Sequence, residues 1–355
     1  MSLSVHIIPE EKNIYKVIFP DPFTEPVIIE NEDQLKDLVN RLKLEGRSEY
    51  AKEITQKWIN LKKDTFKINY KGKFLNLSQK TAVMGILNLT PDSFSDGGIY
   101  YKEIDKAVER VAQMLEEGAD IIDVGGESTR PGAKPISVDE ELERVIPVIK
   151  AVRKELGNNF LISIDTYKSE VAKQAVKEGA DIVNDISGMS FDPEMAKTVA
   201  QLDCPVIINH IKGRPENMQK DVYYDDVVFE VIEFLDSQIR YGMSKGIKKD
   251  RFIIDPGIGF GKYVEHNIEI IKRLSELKVL GFPILIGISR KSFVGIVLEN
   301  FAGRNYPFPS DRLFGSLGAT ACAVLNGAHI VRTHDVKETV DFLTLLDTVR
   351  GYRVV

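Results

Sequence analysis

The chain has 355 residues, of which 43% are hydrophobic and 28% are charged, so it can bury a large core and has the composition of an ordinary soluble protein. Its net charge of -6 and its scattered Lys and Arg residues argue against a nucleic-acid-binding surface, and no apolar run reaches the roughly 18 residues that cross a membrane. Cys204 and Cys322 are too few and too far apart for a disulfide framework or a structural zinc site. The N-terminus lacks the features of a secretory signal, so we expect a cytoplasmic protein.

Residues 1–62 differ from the rest of the chain, because they contain few glycines and are rich in charged, helix-forming residues after an opening that suits an extended conformation. Two helices are predicted from their apolar faces, formed by Leu35, Leu38, Val39 and Leu42 and by Ala51, Ile54, Trp58 and Leu61. We expect Trp58 to be a core residue. The segment contains no chemical motif, so it is predicted to be a small α(/β) extension of unknown role.

From residue 63 onward the pattern changes to a hairpin followed by a repeated unit. Alternating residues at 66–70 and 73–77, with Lys71-Gly72 between them, predict a short hairpin. Eight apolar strands then alternate with polar loops and amphipathic helices. The predicted strands are 82–87, 120–124, 160–164, 181–183, 205–208, 252–254, 284–287 and 329–331. The predicted helices include 104–117, 139–156, 168–178 and 223–241.

Eight alternating units predict an α/β fold of the (β/α)8 barrel type, spanning residues 63–355. An open, doubly wound sheet is the alternative architecture. It is disfavoured because no Gly-x-Gly-x-x-Gly motif opens a helix after the first strand, and Gly257, Gly259 and Gly261 have the wrong spacing.

An internal repeat supports the barrel. In three units a glycine ends a helix, a short apolar strand follows, and a polar residue stands five positions after the glycine. The polar residues are Asp123, Asn184 and Arg332. A glycine after a helix and a buried strand would deliver one functional group at each strand end, so we expect these three side chains to share a layer.

The first long strand enters an unusually long polar loop at 88–98, whose turn residues and isolated Phe94 suggest a functional loop rather than a spacer. In a barrel, such loops meet at the mouth where catalysis occurs. Charged or polar residues follow the other strands as well. These are Glu127 to Gly132, Asp165, Asn184, Asp185, Asn209, His210, Asp255, Ser289 to Ser292, and Arg332 to Asp335.

These residues suggest a ligand with two different ends. Asp165, Asn184, Asp255 and Lys291 suit a flat heterocycle that both donates and accepts hydrogen bonds. A second group suits an anion such as phosphate or pyrophosphate, with or without a metal ion. It comprises Arg332, His334, Arg130 and Asn88. The alternative is a purely structural network, in which Lys291 and its neighbours neutralise buried carboxylates.

Seven segments closely resemble the dihydropteroate synthase family and occur in that family's order. They are 84–98, 125–132, Asp165-Thr166, 183–188, 255–262, Ser289-Arg290-Lys291-Ser292 and 331–336. The resemblance covers about residues 81–349. It implies a folate-pathway transferase that joins 6-hydroxymethyl-7,8-dihydropterin pyrophosphate to 4-aminobenzoate and releases pyrophosphate, with Mg²⁺ on the leaving group. It also implies a homodimer.

The resemblance assigns roles residue by residue. Asp255, Asn184 and Lys291 would bind the pterin, and Asp165 would face its dihydropyrazine side. Asn88 with Mg²⁺, Arg332 and His334 would hold the pyrophosphate. The aminobenzoate pocket would be formed by Thr129, Pro131, Phe94 and Ser292, with Arg130 ordering the loops. Where this family usually has methionine beside His210, the chain has Asn209 and Ile211, so we expect a different pterin contact there.

The implied mechanism is dissociative: the bond to pyrophosphate breaks first, and the neutral amine then attacks the pterin methylene cation. Residues 90–98 are expected to close as a lid with residues 129–132 after the pterin binds. Two alternatives remain, a pterin-dependent methyltransferase acting with a corrinoid protein and a catalytically silent pterin-binding module. The methyltransferase would not need the two long loops, and the silent module would not need a pyrophosphate site.

Overall fold

A computed structural model describes residues 5–11, 14–21, 24–90, 103–306 and 308–352. The chain forms two compact units. The first contains Met1–Asp64 and Arg273–Gly281, and the second contains Thr65–Lys272 and Phe282–Val355. The sequence predicted a boundary after residue 62 and gave no indication that residues 273–281 belong with the N-terminal segment. Within the described ranges, no helix is long and apolar enough to span a membrane.

The first unit combines a small antiparallel sheet with two helices. Its elements are β1 (His6–Glu11), β2 (Ile14–Ile18), β3 (Val27–Ile29), α1 (Glu32–Leu44), α2 (Ser48–Lys62) and a 3-10 helix at Leu274–Leu280. The Asn31 side chain caps α1 by accepting hydrogen bonds from the N–H groups of Asp33 and Gln34. The predicted apolar faces are buried, apart from the half-buried Val39. Trp58 is a core residue, as predicted, and contacts the Tyr15 ring edge to face at 4.7 Å.

The second unit is built on an eight-stranded parallel sheet. It comprises β4 (Lys67–Tyr70), β5 (Lys73–Asn76), β6 (Ala82–Asn88), α3 (Ile104–Glu116), β7 (Ile121–Gly125), α4 (Val138–Leu156), β8 (Leu161–Asp165), α5 (Ser169–Lys177), β9 (Ile182–Asp185), α6 (Met195–Leu202), β10 (Val206–Asn209), α7 (Val227–Ser244), β11 (Phe252–Asp255), α8 (Val264–Lys272), β12 (Leu285–Ile286), α9 (Ser292–Ala302), α10 (Leu313–Leu325), β13 (Ile330–Thr333) and α11 (Val336–Val349). The eight strands from β6 to β13 alternate with helices.

The sheet confirms the predicted (β/α)8 barrel. Its strand order is β11-β10-β9-β8-β7-β6-β13-β12, and a parallel bridge from Ile254 to Ile284 joins the two ends. Most strands extend one or two residues beyond their predicted ends. As a result Asn88, Asp165 and Asp255 are the last residues of their strands, so the barrel's hydrogen bonds hold their backbones.

The predicted hairpin, β4 and β5, closes the opposite end of the barrel. Its Phe66, Ile68 and Leu77 belong to one buried cluster with an inward-facing residue from each of the eight barrel strands. Lys73 adds a buried ion pair, because its ammonium donates to both oxygens of Asp181 at 2.6 and 2.7 Å. Because this cluster fills one end of the barrel, the site can form only at the other end, where the C-terminal ends of the strands lie.

Candidate active site

Three polar residues and a glycine form a continuous layer across four neighbouring strands. Asn88 pairs in register with Gly125, Gly125 with Asp165, and Asp165 with Asn184. Gly125 leaves space between its neighbours, since a Cβ there would lie 3.9 Å from Asn88 Oδ1 and 3.8 Å from Asp165 Oδ2. The glycine therefore lets the amide and the carboxylate face the same space.

The side chains of the three residues of the internal repeat, Asp123, Asn184 and Arg332, contact one another at the mouth. Arg332 Nε donates to Asp123 Oδ2 at 2.6 Å, and Asn184 Nδ2 lies 3.2 Å from the same oxygen. The glycines that precede them, Gly118, Gly179 and Gly327, all have positive φ angles of 101°, 126° and 109°. Only glycine adopts such angles without strain, so the repeat reflects a turn that places one polar side chain per strand.

Asp165 lies between an arginine and several carboxylates. Its Oδ2 accepts from Arg332 Nη2 at 2.7 Å, and its side chain is buried. Burial raises the pKa of Asp165, and the nearby charges of Asp123, Glu141 and Asp185 add to this, whereas Arg332 favours the ionised form. The surplus of negative charge makes this part of the mouth suited to stabilising a developing cation.

Asp255 and Lys291 form a second polar group, on the other side of the mouth. Gly257 N–H donates to Asp255 Oδ1 at 2.7 Å. Burial raises the pKa of Asp255 to about 6, although the Gly257 hydrogen bond and the charge of Lys291 oppose the rise. Burial and the charge of Arg332 lower the pKa of Lys291 to about 8, and its ammonium lies 4.3 Å from the centre of the Phe260 ring. Together they present one acceptor, one donor and an aromatic face.

His334 is held as a neutral ring beside the cations. Ser289 Oγ lies 3.1 Å from His334 Nδ1, and it also accepts from the His334 backbone N–H at 3.2 Å. Burial lowers the pKa of His334 well below its usual value, and the charges of Arg290 and Arg332 act in the same direction. Arg290 is itself fixed by Asp335, to which it donates at 3.1 and 2.5 Å. A neutral imidazole can offer a hydrogen bond to an anion without adding charge.

The loop after β7, residues 126–137, is held in place by contacts at two points. Glu127 accepts from Tyr167 Oη at 2.6 Å and forms an ion pair with Lys168, which also pairs with the buried Glu141. Farther along, Gly132 N–H donates to the Pro215 carbonyl at 2.9 Å, so the loop is tied to the loop that follows β10. These contacts hold the segment that contains Thr129, Arg130 and Pro131.

Asn209, which stands where the family usually has methionine, is the last residue of β10. Its Nδ2 donates to the carbonyls of Ile186 at 2.8 Å and His210 at 3.1 Å, so its amide nitrogen is used within the protein. The adjacent His210 ring is bound by Lys262, with 2.8 Å between Nζ and Nδ1. Whether pterin contact differs here stays a prediction.

A cavity of about 400 Å³ collects most of the predicted site residues. Ten of the twelve line it: Asn88, Thr129, Arg130, Pro131, Asp165, Asp255, Lys291, Ser292, Arg332 and His334. Asn184 lies beneath, bonded to Asp123. Phe94 and most of the predicted lid lie outside the described residues.

Sequence reasoning gave no role to three other lining residues, Met218, Phe260 and Arg312. Met218 carried a sequence signal, because, like Phe94, it is an apolar residue in a polar loop. In the structure its side chain is 2% exposed. Phe260 stood within a recognised motif, whereas Arg312 is brought to the mouth by the turn before α10 and had no sequence signal.

The cavity wall offers one protein oxygen that could bind a magnesium ion shared with an anionic ligand. Within the described ranges, no three His, Cys, Asp or Glu side chains form a group that could hold a metal. Mg²⁺ commonly takes one or two protein oxygens and completes its shell with substrate phosphates and water. The Asn88 amide at the cavity wall provides one such oxygen.

Comparisons with known proteins agree with this geometry. Residues 84–334 match the family model described as pterin binding enzyme. The dihydropteroate synthase of Synechocystis sp. is 47% identical over 272 residues, covering 76% of this chain and 91% of that protein. The Yersinia pestis dihydropteroate synthase structure with a sulfonamide drug complex has a TM-score of 0.75 at 40% identity, covering 81% of this chain and 100% of its own. The Xanthomonas albilineans dihydropteroate synthase with 4-aminobenzoic acid has a TM-score of 0.72 at 41% identity, covering 81% and 99%. The chain therefore belongs to the dihydropteroate synthase family of pterin-binding enzymes.

Proposed function

We propose that this chain condenses 6-hydroxymethyl-7,8-dihydropterin pyrophosphate with 4-aminobenzoate to give 7,8-dihydropteroate and pyrophosphate. The observation that carries the proposal is a single cavity with carboxylates Asp165 and Asp255 on its walls together with Lys291, Arg332 and His334. A substrate with a hydrogen-bonding heterocycle and a pyrophosphate needs both kinds of group. The family membership supports the same reaction.

At the pterin end, Asp255 accepts from the 2-amino group and a ring N–H, which a carboxylate can do with its two oxygens. The Gly257 hydrogen bond fixes the orientation of that carboxylate. Lys291 donates to the ring carbonyl, and Asn184 supplies a further polar contact below it. Each of these groups is held by the barrel, so the ring is oriented before any bond breaks.

At the pyrophosphate end, Asn88, Arg332 and His334 bind the leaving group. Asp123 and Asp165 hold the Arg332 guanidinium in one orientation, so it acts as a fixed donor. When bound, Mg²⁺ at Asn88 would neutralise charge on the departing pyrophosphate. Thr129, Pro131 and Ser292 line the same cavity and would shape the pocket for 4-aminobenzoate, with Arg130 ordering the loops.

The reaction proceeds by breaking the C–O bond first. The methylene cation that results is stabilised by the pterin ring and by the carboxylate of Asp165. The neutral amine of 4-aminobenzoate then attacks through its lone pair and loses a proton, so no strong base is needed. Electrostatic stabilisation of the cation and of the leaving group supplies most of the barrier reduction.

A phosphate-release assay tests the function directly. The protein is incubated with both substrates, Mg²⁺ and inorganic pyrophosphatase, and 7,8-dihydropteroate is identified in the products. Phosphate released only when both substrates are present supports the synthase. Pterin binding without phosphate release would favour the silent module, and methyl transfer from a methyltetrahydrofolate to a corrinoid protein would favour the methyltransferase.

We also propose that the protein forms a homodimer in the cytoplasm. The helices α9, α10 and α11 are neighbours and expose large apolar side chains, including Phe301 at 88% and Phe314 at 84%. An interface of standard size, about 800 Å² per partner, would cover such a face. Light scattering should give twice the chain mass, and Phe314→Asp should give the monomer. The cytoplasm suits Cys204 and Cys322, which are both free thiols.

A further inference from the structure

A buried lysine outside the predicted set of site residues joins two of the loops at the barrel mouth. Lys262 is 3% exposed, and its ammonium has three acceptors within reach. Nζ lies 2.8 Å from His210 Nδ1, 3.4 Å from the His210 carbonyl and 3.1 Å from the Phe260 carbonyl. An ammonium has three N–H donors, so these contacts satisfy it fully within the protein.

At two glycines near Lys262, Gly257 and Gly261, the backbone is packed too tightly to accept a side chain. Gly257 has a φ of 71°, and a Cβ there would lie 1.8 Å from the His210 carbonyl oxygen. Gly261 has a φ of 65°, and a Cβ there would lie 2.4 Å from the Lys212 carbonyl oxygen. The loop after β11 therefore lies directly against the segment after β10, and Lys262 is a buried charged residue at their contact.

Two residues that line the cavity lie in or next to the loop that makes this contact. Asp255 stands immediately before the loop and receives the Gly257 N–H, and Phe260 lies within the loop and faces the Lys291 ammonium. We propose that Lys262 is a positioning residue for the pterin site, binding the His210 segment to the Phe260 loop and so fixing Asp255 and Phe260 at the cavity wall. This inference rests on the proposed function.

The role of Lys262 can be measured through the pKa of Asp255, because three positive charges act on that carboxylate. They are Lys291, Arg332 and Lys262, and each favours the ionised carboxylate. Burial lowers the pKa of Lys262 well below 10.5, and the charge of Asp255 opposes that change. The charge of Lys262 favours the ionised form of Asp255, so removing Lys262 raises the pKa of Asp255 further.

The test compares one substitution of Lys262 and two of its partner His210 with a surface control. Lys262→Met keeps the length of the side chain and removes its charge and donors. Lys272→Met makes the same change at an exposed lysine on α8 and serves as the control. His210→Asn leaves a side-chain acceptor for Lys262, whereas His210→Leu leaves only the backbone carbonyls of His210 and Phe260. Circular dichroism confirms folding, and calorimetry measures binding of 6-hydroxymethylpterin.

We expect Lys262→Met to weaken pterin binding about tenfold. The pH below which pterin affinity falls should also rise by about one unit, the usual effect of losing a nearby opposite charge. His210→Leu should weaken binding similarly, and His210→Asn and Lys272→Met should not. Unchanged affinity and profile in folded Lys262→Met would overturn the inference. If Lys262→Met does not fold, equal affinities for the two His210 variants would overturn it. Failure of the unsubstituted protein to bind the pterin would refute the proposed function instead.

Discussion

Arg332, on the last barrel strand, donates from Nη2 to Oδ2 of Asp165 on the third barrel strand at 2.7 Å. The same guanidinium donates from Nε to Asp123, which is completely buried. In the proposed function, a residue that would bind pyrophosphate is thus hydrogen-bonded to one that would face the pterin. Changes at either residue will alter the charge that the other presents to the ligand.

Replacing Asp165 with alanine should reduce turnover more than pterin affinity. The carboxylate stabilises positive charge that develops only as the pyrophosphate leaves, so its loss acts on the transition state. We expect kcat to fall about a hundredfold, the scale of one lost electrostatic contact, with a much smaller change in the Kd for the pterin. Steady-state kinetics and calorimetry measure the two effects. A loss that arises through KM alone would contradict this role.

Pterin binding should weaken as the pH falls through about 6. Burial raises the pKa of Asp255 to about 6, and only the ionised carboxylate can accept two hydrogen bonds from the pterin. Above that pH the carboxylate is ionised, so Asp255 adds nothing further to the pH dependence of affinity. Below it, affinity should drop about tenfold for each pH unit. Calorimetric titrations across the range measure this, and a flat profile would show that Asp255 is not the acidic group that binds.

Asp255→Asn should stabilise the protein while removing pterin binding. The folded protein holds this proton up to about pH 6, well above the ordinary pKa of 3.8, so the free energy of unfolding falls as the pH rises between these two values. At neutral pH the ionised group costs stability, and asparagine should recover about 2 kcal/mol. Urea unfolding at neutral pH measures this. A stability equal to or below that of the parent would contradict the assignment of Asp255 as a strained functional carboxylate.

Asp181→Ala should destabilise the closed end of the barrel. Its carboxylate accepts from Lys73, from Arg153 at 2.6 Å and from the Ile162 N–H at 3.0 Å, and it is 1% exposed. Removing it leaves two buried cations without their partner, which costs about 3 kcal/mol or more. Asp33→Ala is the control, because that side chain is 89% exposed and its ion pair with Lys36 lies in solvent, where it adds little to stability. Equal losses in the two variants would refute the distinction.

Deleting residues 1–64 should lower the melting temperature without changing the chemistry. The first unit includes Arg273–Gly281, and Asn60 Nδ2 donates to the Val279 carbonyl at 2.7 Å within it. The deletion removes that donor and the helix that packs against the 3-10 segment, whose Leu274 and Leu277 are fully buried. Calorimetry and the phosphate-release assay measure the two outcomes. A loss of kcat at temperatures where the truncated protein is folded would instead assign the extension a catalytic role.

The sequence by itself determined the repeated unit and the positions of the strand ends. Hydrophobic periodicity is a local property, so strands and helices could be located within a few residues. Glycines such as Gly118 and Gly179 mark turns that require positive φ, and this also can be read locally. Because parallel strands in a barrel end at one mouth, these positions were enough to predict that Asp165, Asp255 and Arg332 line one cavity.

Only the tertiary structure decided which side chains bind one another across the barrel. Asn184 donates to Asp123, Lys262 binds His210, and Lys168 pairs with both Glu127 and Glu141. Each choice depends on burial and on competing partners from strands far apart in the chain, which no local pattern encodes. The same reason explains why Arg273–Gly281, a connection within the barrel sequence, belongs to the unit formed by the N-terminal extension.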